Sequence, residues 1–465
     1  MENLILMTDS YKASHWKQYP PNTTKVYSYI EARGGEELSR KTLFFGLQMF
    51  LKKYLTKPIT QEMIDEADLF FKAHGEPFNK EGWEYILNKY DGFLPVVIKA
   101  VPEGTLVDLH NILVSIENTD PECYWLTSYI ETMLVRAVWY PTTVATISYK
   151  TKEAIMDWLN ATCDDPEGQI SFKLHDFGGR GVSSSESAEI GGAAHLVSFL
   201  GSDTVEGIVA ANKYYNCPMS AFSIPAAEHS TITVWGRENE AKAYENMLEQ
   251  FGGKGKIFAC VSDSYDIYKA ASDIWGNLLR TKVLESGGTL VVRPDSGYPP
   301  DVVIKLCQIL GAKFGYTINK KGFNVLNPVV RIIQGDGCTL QMIDEILRNM
   351  YEAGWSAENI AFGMGGGLLQ KLNRDTFKFA MKASFAIVNE CNVNVYKQPI
   401  TDPGKNSKRG KLVLVKTTKG YKTINDVEYL KYCEVKDVLI EVFNNGIITK
   451  EYTMDEVRAN SRKGE

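Results

Sequence analysis

From about Ile170 the chain repeats one phrase six times: a short apolar run, a polar or glycine-rich loop, then a helical stretch. The runs and their loops are ISFKLHDFGGRG, FSIPAAEHS, KIFACVSDS, TLVVRPDSG, VVRIIQGDG and NIAFGMGGG. A strand buried on both faces reads as a continuous apolar run, and a helix after it returns the chain to the same end of the sheet. Six such units in succession predict an α/β fold, a (β/α) barrel. A doubly wound open sheet would carry the same runs, so the rhythm alone leaves both architectures standing.

Either way, parallel strands send all their C-terminal loops to one rim, where such folds place their sites. Those loops hold His175, Asp176, Arg180, Glu228, His229, Asp263, Asp266, Arg293, Asp295, Asp336 and the glycines of Gly363 to Gly367. The polar chemistry of the chain is therefore expected on one edge.

The two ends read differently. Thr24 to Arg33 alternates as a strand, whereas Thr42 to Leu55 and Gln61 to Ala73 carry apolar residues at helical spacing. Leu94 to Ile116 reads as strands broken at Pro102-Glu103-Gly104 and around His110-Asn111, and Tyr124 to Leu159 as two helices divided near Pro141. After about Asn373 strand-like segments return at Lys411 to Lys416 and Val438 to Phe443, beyond a basic loop from Lys405. The expected organisation is a domain of 1–165 together with 373–465, mixed or antiparallel in its sheet, and a barrel domain over 166–372.

Composition narrows the function. Of 465 residues, 51 Lys and Arg stand against 57 Asp and Glu, a net charge of −6 that gives no electrostatic footprint for nucleic acid or an anionic membrane. Eight cysteines are spread singly with no CxxC pair, which fits neither a zinc ribbon nor a disulfide framework. With no basic, apolar leader at MENLILMTDSYK and no apolar run of about 18 residues, the expectation is a reduced, cytoplasmic protein.

Each constellation on the rim has a structural alternative. FGMGGGLLQK sets clustered glycines after a strand and at a helix start, where backbone N–H groups can face a phosphate; a turn requirement explains such a cluster about as well. RPDSG joins a guanidinium to a carboxylate, suited to a phosphorylated sugar or to a local ion pair. QGDG offers a further carboxylate or an Asx turn. His229, after Glu228 in PAAEHS, suits proton or phosphoryl transfer, with Asp263 and Asp295 at strand ends that could face it. Asp203 in GSDTVEG reads first as a helix cap, with Glu206 at capping-box spacing, and His195 as a packing residue. No metal site is expected.

Ten blocks in order, from TDSYKASHWKQYPP through YSYIEAR, HDFGGRGVSS, GSDTVEG, IPAAEHSTIT, VSDSYDIY, RPDSG, QGDG and FGMGGGLLQKLNRD to SKRGKL, resemble the nicotinamide phosphoribosyltransferase family of type II phosphoribosyltransferases. The resemblance implies an irregular α/β barrel, a second α+β domain built from both chain ends, and a homodimer with shared active sites. It makes His229 the histidine phosphorylated by ATP, with Asp263, Asp266 and Glu228 as supports. Phe177 and, from the other subunit, Tyr11 would sandwich nicotinamide, with Asp203 accepting from its carboxamide and Asp9 beside Tyr11. Arg180 and Arg293 would face phosphates, and Asp295, Gly335 and Asp336 the ribose. Gly365 and Gly366 would give amides to the 5′-phosphate, joined by the second subunit's Arg374. Arg33, Lys382 and Lys405 match positions that attract phosphate and pyrophosphate. Two positions depart from animal members: Gly179 replaces tyrosine and Met364 replaces serine.

The implied reaction joins nicotinamide to 5-phosphoribosyl 1-pyrophosphate, with ATP as co-substrate and Mg²⁺ carried mainly by substrate phosphates. A nicotinate-specific enzyme is the near rival. Asp203 argues against it, because a like charge at 4 Å costs up to about 4 kcal/mol at an effective dielectric of 20. A non-catalytic phosphosugar or nucleotide sensor is the rival of another class, and turnover distinguishes it.

Overall fold

The computed structural model describes residues 3–401, 405–430 and 436–463. It divides into two compact units: Met1–Thr146 with Ala210–Cys217 and Asn373–Glu465, and Ile147–Val209 with Pro218–Leu372.

The first unit is α+β and is built from both chain ends. Among the described residues its main sheet has seven strands, all antiparallel, in the order Cys391–Asn394, Ala380–Val388, Thr23–Glu31, Ile112–Asn118, Val96–Ala100, Ile440–Asn444, Ile447–Ile448. N-terminal strands thus have C-terminal strands on either side. One apolar core runs through this unit; its aromatic centre is Trp83, Trp125 and Tyr129, packed edge to face at 5.0 to 5.9 Å.

Two local expectations are corrected here. Helical spacing over Thr42 to Leu55 holds only from Leu47, because Lys41–Leu43 is a strand paired with Leu106–Asp108. Gly46 turns the chain at a φ of 100°, and the buried Glu103 carboxylate accepts from the N–H groups of Gly46 and Gln48 at the new helix start. The expected break at Pro141 is also absent: Glu131–Thr162 is one helix with the proline inside it. The pyrrolidine ring sits beside Gly46, where a Cβ would come within 2.4 Å of it. Packing on that ring offsets the lost backbone hydrogen bond, which is how tertiary contacts override a helix breaker.

The second unit contains the six-stranded parallel sheet, in the order Gly201–Ser202, Leu174–Asp176, Ile360–Met364, Val330–Gln334, Thr289–Arg293, Ile257–Val261. Residues 222–226 join its two edges. Phe222 bridges to Gly201 and Ala226 to Ala259, with Phe222 N–H donating to Leu200 O at 2.8 Å and Ala259 N–H to Pro225 O at 2.9 Å. Pro225 lacks an N–H and keeps this segment from forming a full ladder, yet its bridges close the sheet on itself. The barrel, not the open sheet, is what the rhythm encodes.

Period-two alternation sorts the barrel side chains. Ala259, Val291 and Ile333 face inward with Ile224, Ala361 and Phe177, while the alternate residues Phe258, Cys260, Val292, Ile332 and Phe362 are buried on the other face. Alanine and valine are too small to fill the interior. Hydroxyl caps start the returning helices, as when Ser184 accepts from Ser187 N–H and Thr339 from Met342 N–H. His195 is wholly buried between Ser148 Oγ at 2.9 Å and Gly201 O at 3.1 Å, and burial pushes its pKa down to about 3. Among the described residues no helix is long and apolar enough to cross a membrane.

Candidate active site

The barrel loops place nine of the expected residues of the second unit around one cleft of about 670 Å³, whereas Glu228, His229, Asp263 and Asp266 do not line it. Phe177, Arg180, Asp203, Arg293, Asp295, Gly335, Asp336, Gly365 and Gly366 all line it, together with Gly179, Thr204 and Glu206. Phe177 is fixed by its own N–H, which donates to Met364 O at 3.0 Å, so its ring hangs at the junction of two strand ends. Gly365 leads into the short helix Gly366–Leu369, and a side chain on Gly366 would meet nothing within 4 Å. The helix start is thereby open to an anion.

Arg293 and Asp295 form the local ion pair that RPDSG allowed. Nη2 donates to Asp295 Oδ1 at 2.8 Å and Nε to the same oxygen at 3.3 Å, while the guanidinium carbon lies 6.0 Å from the Phe177 ring centre. The pair and the ring therefore stand side by side at the cleft, and the ion pair is the structural reading of this motif. Asp203 is exposed, and its Oδ1 accepts from Ser223 Oγ. That bond fixes one carboxylate oxygen and leaves the other available.

His229 opens the helix His229–Thr233, with its side chain about half exposed. Its Nε2 lies 2.8 Å from Asp263 Oδ1, and its Nδ1 lies 4.0 Å from Asp295 Oδ2. Asp263 is nearly buried and is held in turn: Oδ2 accepts from Ser296 Oγ at 2.6 Å and from Asp295 N–H at 3.1 Å. In a neutral ring, a carboxylate acceptor at Nε2 places the proton there and leaves Nδ1 its lone pair. The other two expected supports have different partners. Glu228 accepts from Ser230 Oγ, and Asp266 caps its own helix by accepting from the N–H groups of Tyr268 and Lys269 at 3.0 and 3.1 Å.

Beneath the cleft the barrel encloses a second cavity of about 560 Å³. Its walls are largely apolar, and Phe177, Asp203 and Arg293 line both spaces. Lys173 sits in its wall, donating to the carbonyls of Glu358 and Ile360 at 2.8 and 3.0 Å. Burial pushes the Lys173 ammonium down to about 7. Burial likewise lowers His175, partly opposed by the charge of Asp203.

The remaining expected residues belong to the first unit. Asp9 Oδ2 accepts from Thr132 Oγ1 at 2.6 Å, and Tyr11, 55% exposed, stands edge-on to His15 at 4.9 Å. Arg33 keeps Nε and Nη1 buried with no hydrogen-bond partner. Burial lowers the pKa of Lys382, and the neighbouring charges of Arg33, Lys397 and Lys12 lower it further against the opposing effect of Glu131. Arg374 is exposed beside Asp375 at 3.1 Å, and Lys405 is exposed.

Sequence reasoning named the charged residues and missed their holders. Ser296 and Ser223 were present within RPDSG and FSIPAA, but a serine in a loop has no periodicity to mark it. Glu206 was visible only as the capping-box partner of Asp203, and Thr204 was not singled out.

Comparison with known proteins gives a consistent result. Residues 172–447 match the model of the nicotinate phosphoribosyltransferase (NAPRTase) family, and residues 3–98 match that of the nicotinamide phosphoribosyltransferase N-terminal domain. The nicotinamide phosphoribosyltransferase of Xanthomonas campestris is 52% identical over 464 residues, 99% of this chain and 98% of its own length. That of Acinetobacter baylyi is 32% identical over 98% of this chain and 96% of its own length. Among solved structures, nicotinate-nucleotide pyrophosphorylase from Pyrococcus furiosus superposes with a TM-score of 0.64 at 16% identity, covering 100% of this chain and 96% of that one. Human nicotinic acid phosphoribosyltransferase gives 0.56 at 15% identity, covering 98% and 93%. At those identities the structural likeness speaks for the fold.

Proposed function

This chain belongs to the nicotinate phosphoribosyltransferase family and is a pentosyltransferase, and from that premise we propose that it converts nicotinamide and 5-phosphoribosyl 1-pyrophosphate to nicotinamide mononucleotide and pyrophosphate, coupled to ATP hydrolysis through His229. The observation that carries the reading is the composition of one cleft: an aromatic ring, an exposed carboxylate, an Arg–Asp pair and an open glycine-led helix start. Those are the groups that a flat amide base, a ribose and a phosphate require.

In this reading nicotinamide stacks on Phe177 and donates from its carboxamide to Asp203. The pyrophosphate leaves C1 of the ribose with the bonding electron pair, and the pyridine nitrogen lone pair forms the new bond to C1. Positive charge develops first on the ribose and then rests on the pyridinium. The Phe177 face and the nearby carboxylates Asp295 and Asp336 stabilise it, while Arg293 and Arg180 stabilise the departing oxygens. Among the described residues no group of three or more His, Cys, Asp or Glu side chains is arranged to hold a metal ion. Mg²⁺ brought on the substrate would keep phosphate and water ligands, with the rim carboxylates as the protein oxygens within the cleft.

His229 is built for phosphoryl transfer. Asp263 accepts a hydrogen bond from Nε2–H, so the Nδ1 lone pair is free to attack the γ-phosphorus of ATP and ADP leaves; water later cleaves the phosphorus–nitrogen bond to release phosphate. We place Tyr11 and Arg374 of a second copy at the cleft, with Arg33, Lys382 and Lys405 as an anion-attracting set.

A product assay with nicotinamide or nicotinate, each with and without ATP, tests the proposal. Nicotinamide mononucleotide should form, faster with ATP, while nicotinate is used poorly. In His229→Ala the ATPase activity and the ATP stimulation should both vanish, and basal transfer should persist. A variant that keeps full ATP stimulation removes His229 from the mechanism, and equal use of nicotinate removes Asp203 from selection.

A further inference from the structure

Phe177 does not rest on side chains alone. Its ring lies over the backbone of Gly363, on the neighbouring strand, where a Cβ would fall 2.0 Å from Cε2, 2.1 Å from Cδ2 and 2.8 Å from Cζ. Gly335, at the end of the next strand over, would bring a Cβ to 3.2 Å from Cε2. The floor beneath the ring is thus formed at two strand ends that lack side chains.

Backbone conformation does not account for Gly363. It lies inside the strand Ile360–Met364 and is not among the glycines of positive φ, so any residue could adopt its backbone angles. Glycine weakens a strand interior, and when its conformation is ordinary the remaining reason for it is close approach by another group. Here that group is the Phe177 ring. The ring also lines both the cleft and the barrel cavity below it, so its height decides how the two spaces are divided.

We propose that Gly363 is a positioning residue for the base: by leaving room for the Phe177 ring it sets the level at which a flat substrate stacks, with Gly335 completing the seat. A methyl group at 363 drives the ring off its seat and into the cleft. The inference rests on the reading that Phe177 stacks nicotinamide, and its test separates the two.

Gly363→Ala, Phe177→Ala and the double variant are compared for the KM of nicotinamide, the KM of phosphoribosyl pyrophosphate and kcat. In the parent background Gly363→Ala should raise the nicotinamide KM about tenfold or more and leave the phosphoribosyl pyrophosphate KM within about twofold. In the Phe177→Ala background the same substitution should add nothing, because its effect runs through the missing ring. An equal penalty in both backgrounds, or equal rises in both KM values, overturns the proposal. So does the absence of any effect in the parent.

The seat is also read without substrate. In enzyme labelled with fluorophenylalanine, the resonance of Phe177, one of 20 phenylalanines, is assigned by its loss in Phe177→Leu. It should shift in Gly363→Ala, and an unmoved resonance overturns the seat. A shift combined with an unchanged nicotinamide KM in Phe177→Ala would leave the seat standing and remove the stacking reading instead. If Gly363→Ala alone fails to fold, the double variant should fold, because the clash is gone. Failure of both shows that Gly363 serves something other than the ring, which also overturns the proposal.

Discussion

Asp176 ends a barrel strand one residue before Phe177 and has no access to solvent. Its Oδ1 accepts from Gly178 N–H at 2.7 Å, and its backbone carbonyl takes the N–H of Asp203 at 2.9 Å. Oδ2 and the neighbouring Thr204 Oγ1 are shut away from solvent without a well-aligned hydrogen bond. Burial, more than the nearby charge of Asp203, pushes the carboxyl up to about 6. Between pH values of about 4 and 6 the unfolded chain has therefore released this proton while the folded chain keeps it. Stability falls as pH rises through that window and is level above it, a loss of about 3 kcal/mol from this group. Asp176→Asn keeps the acceptor for Gly178 and removes the titration. Its melting temperature, relative to the parent, should climb between pH 4 and pH 7 and then stay constant; a pH-independent difference would show that Asp176 ionises without penalty. At this scale the sequence displayed which groups exist on the rim but not their contacts. Strand ends pointed to Asp263 and Asp295 as carboxylates that could face His229, while the resemblance set Asp266 and Glu228 beside Asp263 as equal supports. Only folding showed that Asp263 reaches the ring while Asp266 closes a helix turn, because the choice depends on loops that bring Ser296 and Asp295 against Asp263.

Elements were legible where their periodicity is strong. The apolar runs ending at Asp176, Val261, Arg293, Gln334 and Met364 are all parallel strands. The two-residue strand Gly201–Ser202 has no pattern to read, and Pro225 makes the segment 222–226 a bridge and not a ladder. Helices showed the same limit at Pro141, where a local rule lost to packing on Gly46. A related contact sets the edge of the cleft. Helix Ser185–His195 meets helix Val205–Tyr214 at Gly192 and Gly207, where a Cβ on Gly207 would lie 2.5 Å from Gly192 Cα. The obstructing atoms are backbone, which cannot rotate away. Gly207→Ala should therefore cost about 1–3 kcal/mol of stability, despite the higher helix propensity of alanine. Because Thr204 and Glu206 precede it on the cleft wall, nicotinamide binding should weaken together with the melting temperature. Glu249→Ala, on an exposed helix face, is the control substitution expected to change neither quantity. An unaffected melting temperature in Gly207→Ala would mean that the two helices separate without cost.

For the whole molecule, the expected site residues divide between the two compact units. His229, Phe177, Asp203, Gly365 and Gly366 lie in the barrel unit, and Tyr11, Arg33, Arg374, Lys382 and Lys405 in the other. Composition could mark the barrel by its rhythm, but a helix that gives Glu131–Thr146 to one unit and its remainder to the other leaves no compositional border. Nor can one sequence say whether the two sets meet within a chain or between two copies, since either arrangement uses the same residues. Mixed subunits distinguish the cases. Arg374→Ala and His229→Ala, each prepared alone, should both lack ATP-stimulated transfer, the first by losing a phosphate clamp and the second by losing the phosphorylated group. If each site of a two-fold dimer takes Arg374 from one chain and His229 from the other, a mixed dimer gathers both defects in one site and leaves the other whole. Random exchange at equal amounts makes about half the dimers mixed, and half of their sites intact, so ATP-stimulated activity should return to about a quarter of the parent level if sites act independently. If both residues serve the site of their own chain, every site in the mixture carries one defect and no activity returns. Mixing two preparations of the same variant gives the background. Verified mixed dimers without recovered activity would assign Arg374 to its own chain's site, or show that one damaged site silences its neighbour. A dimer that carries both defects on one chain beside an unaltered chain separates these outcomes: it keeps about half the parent activity when Arg374 acts within its own chain, and loses it when the sites are coupled.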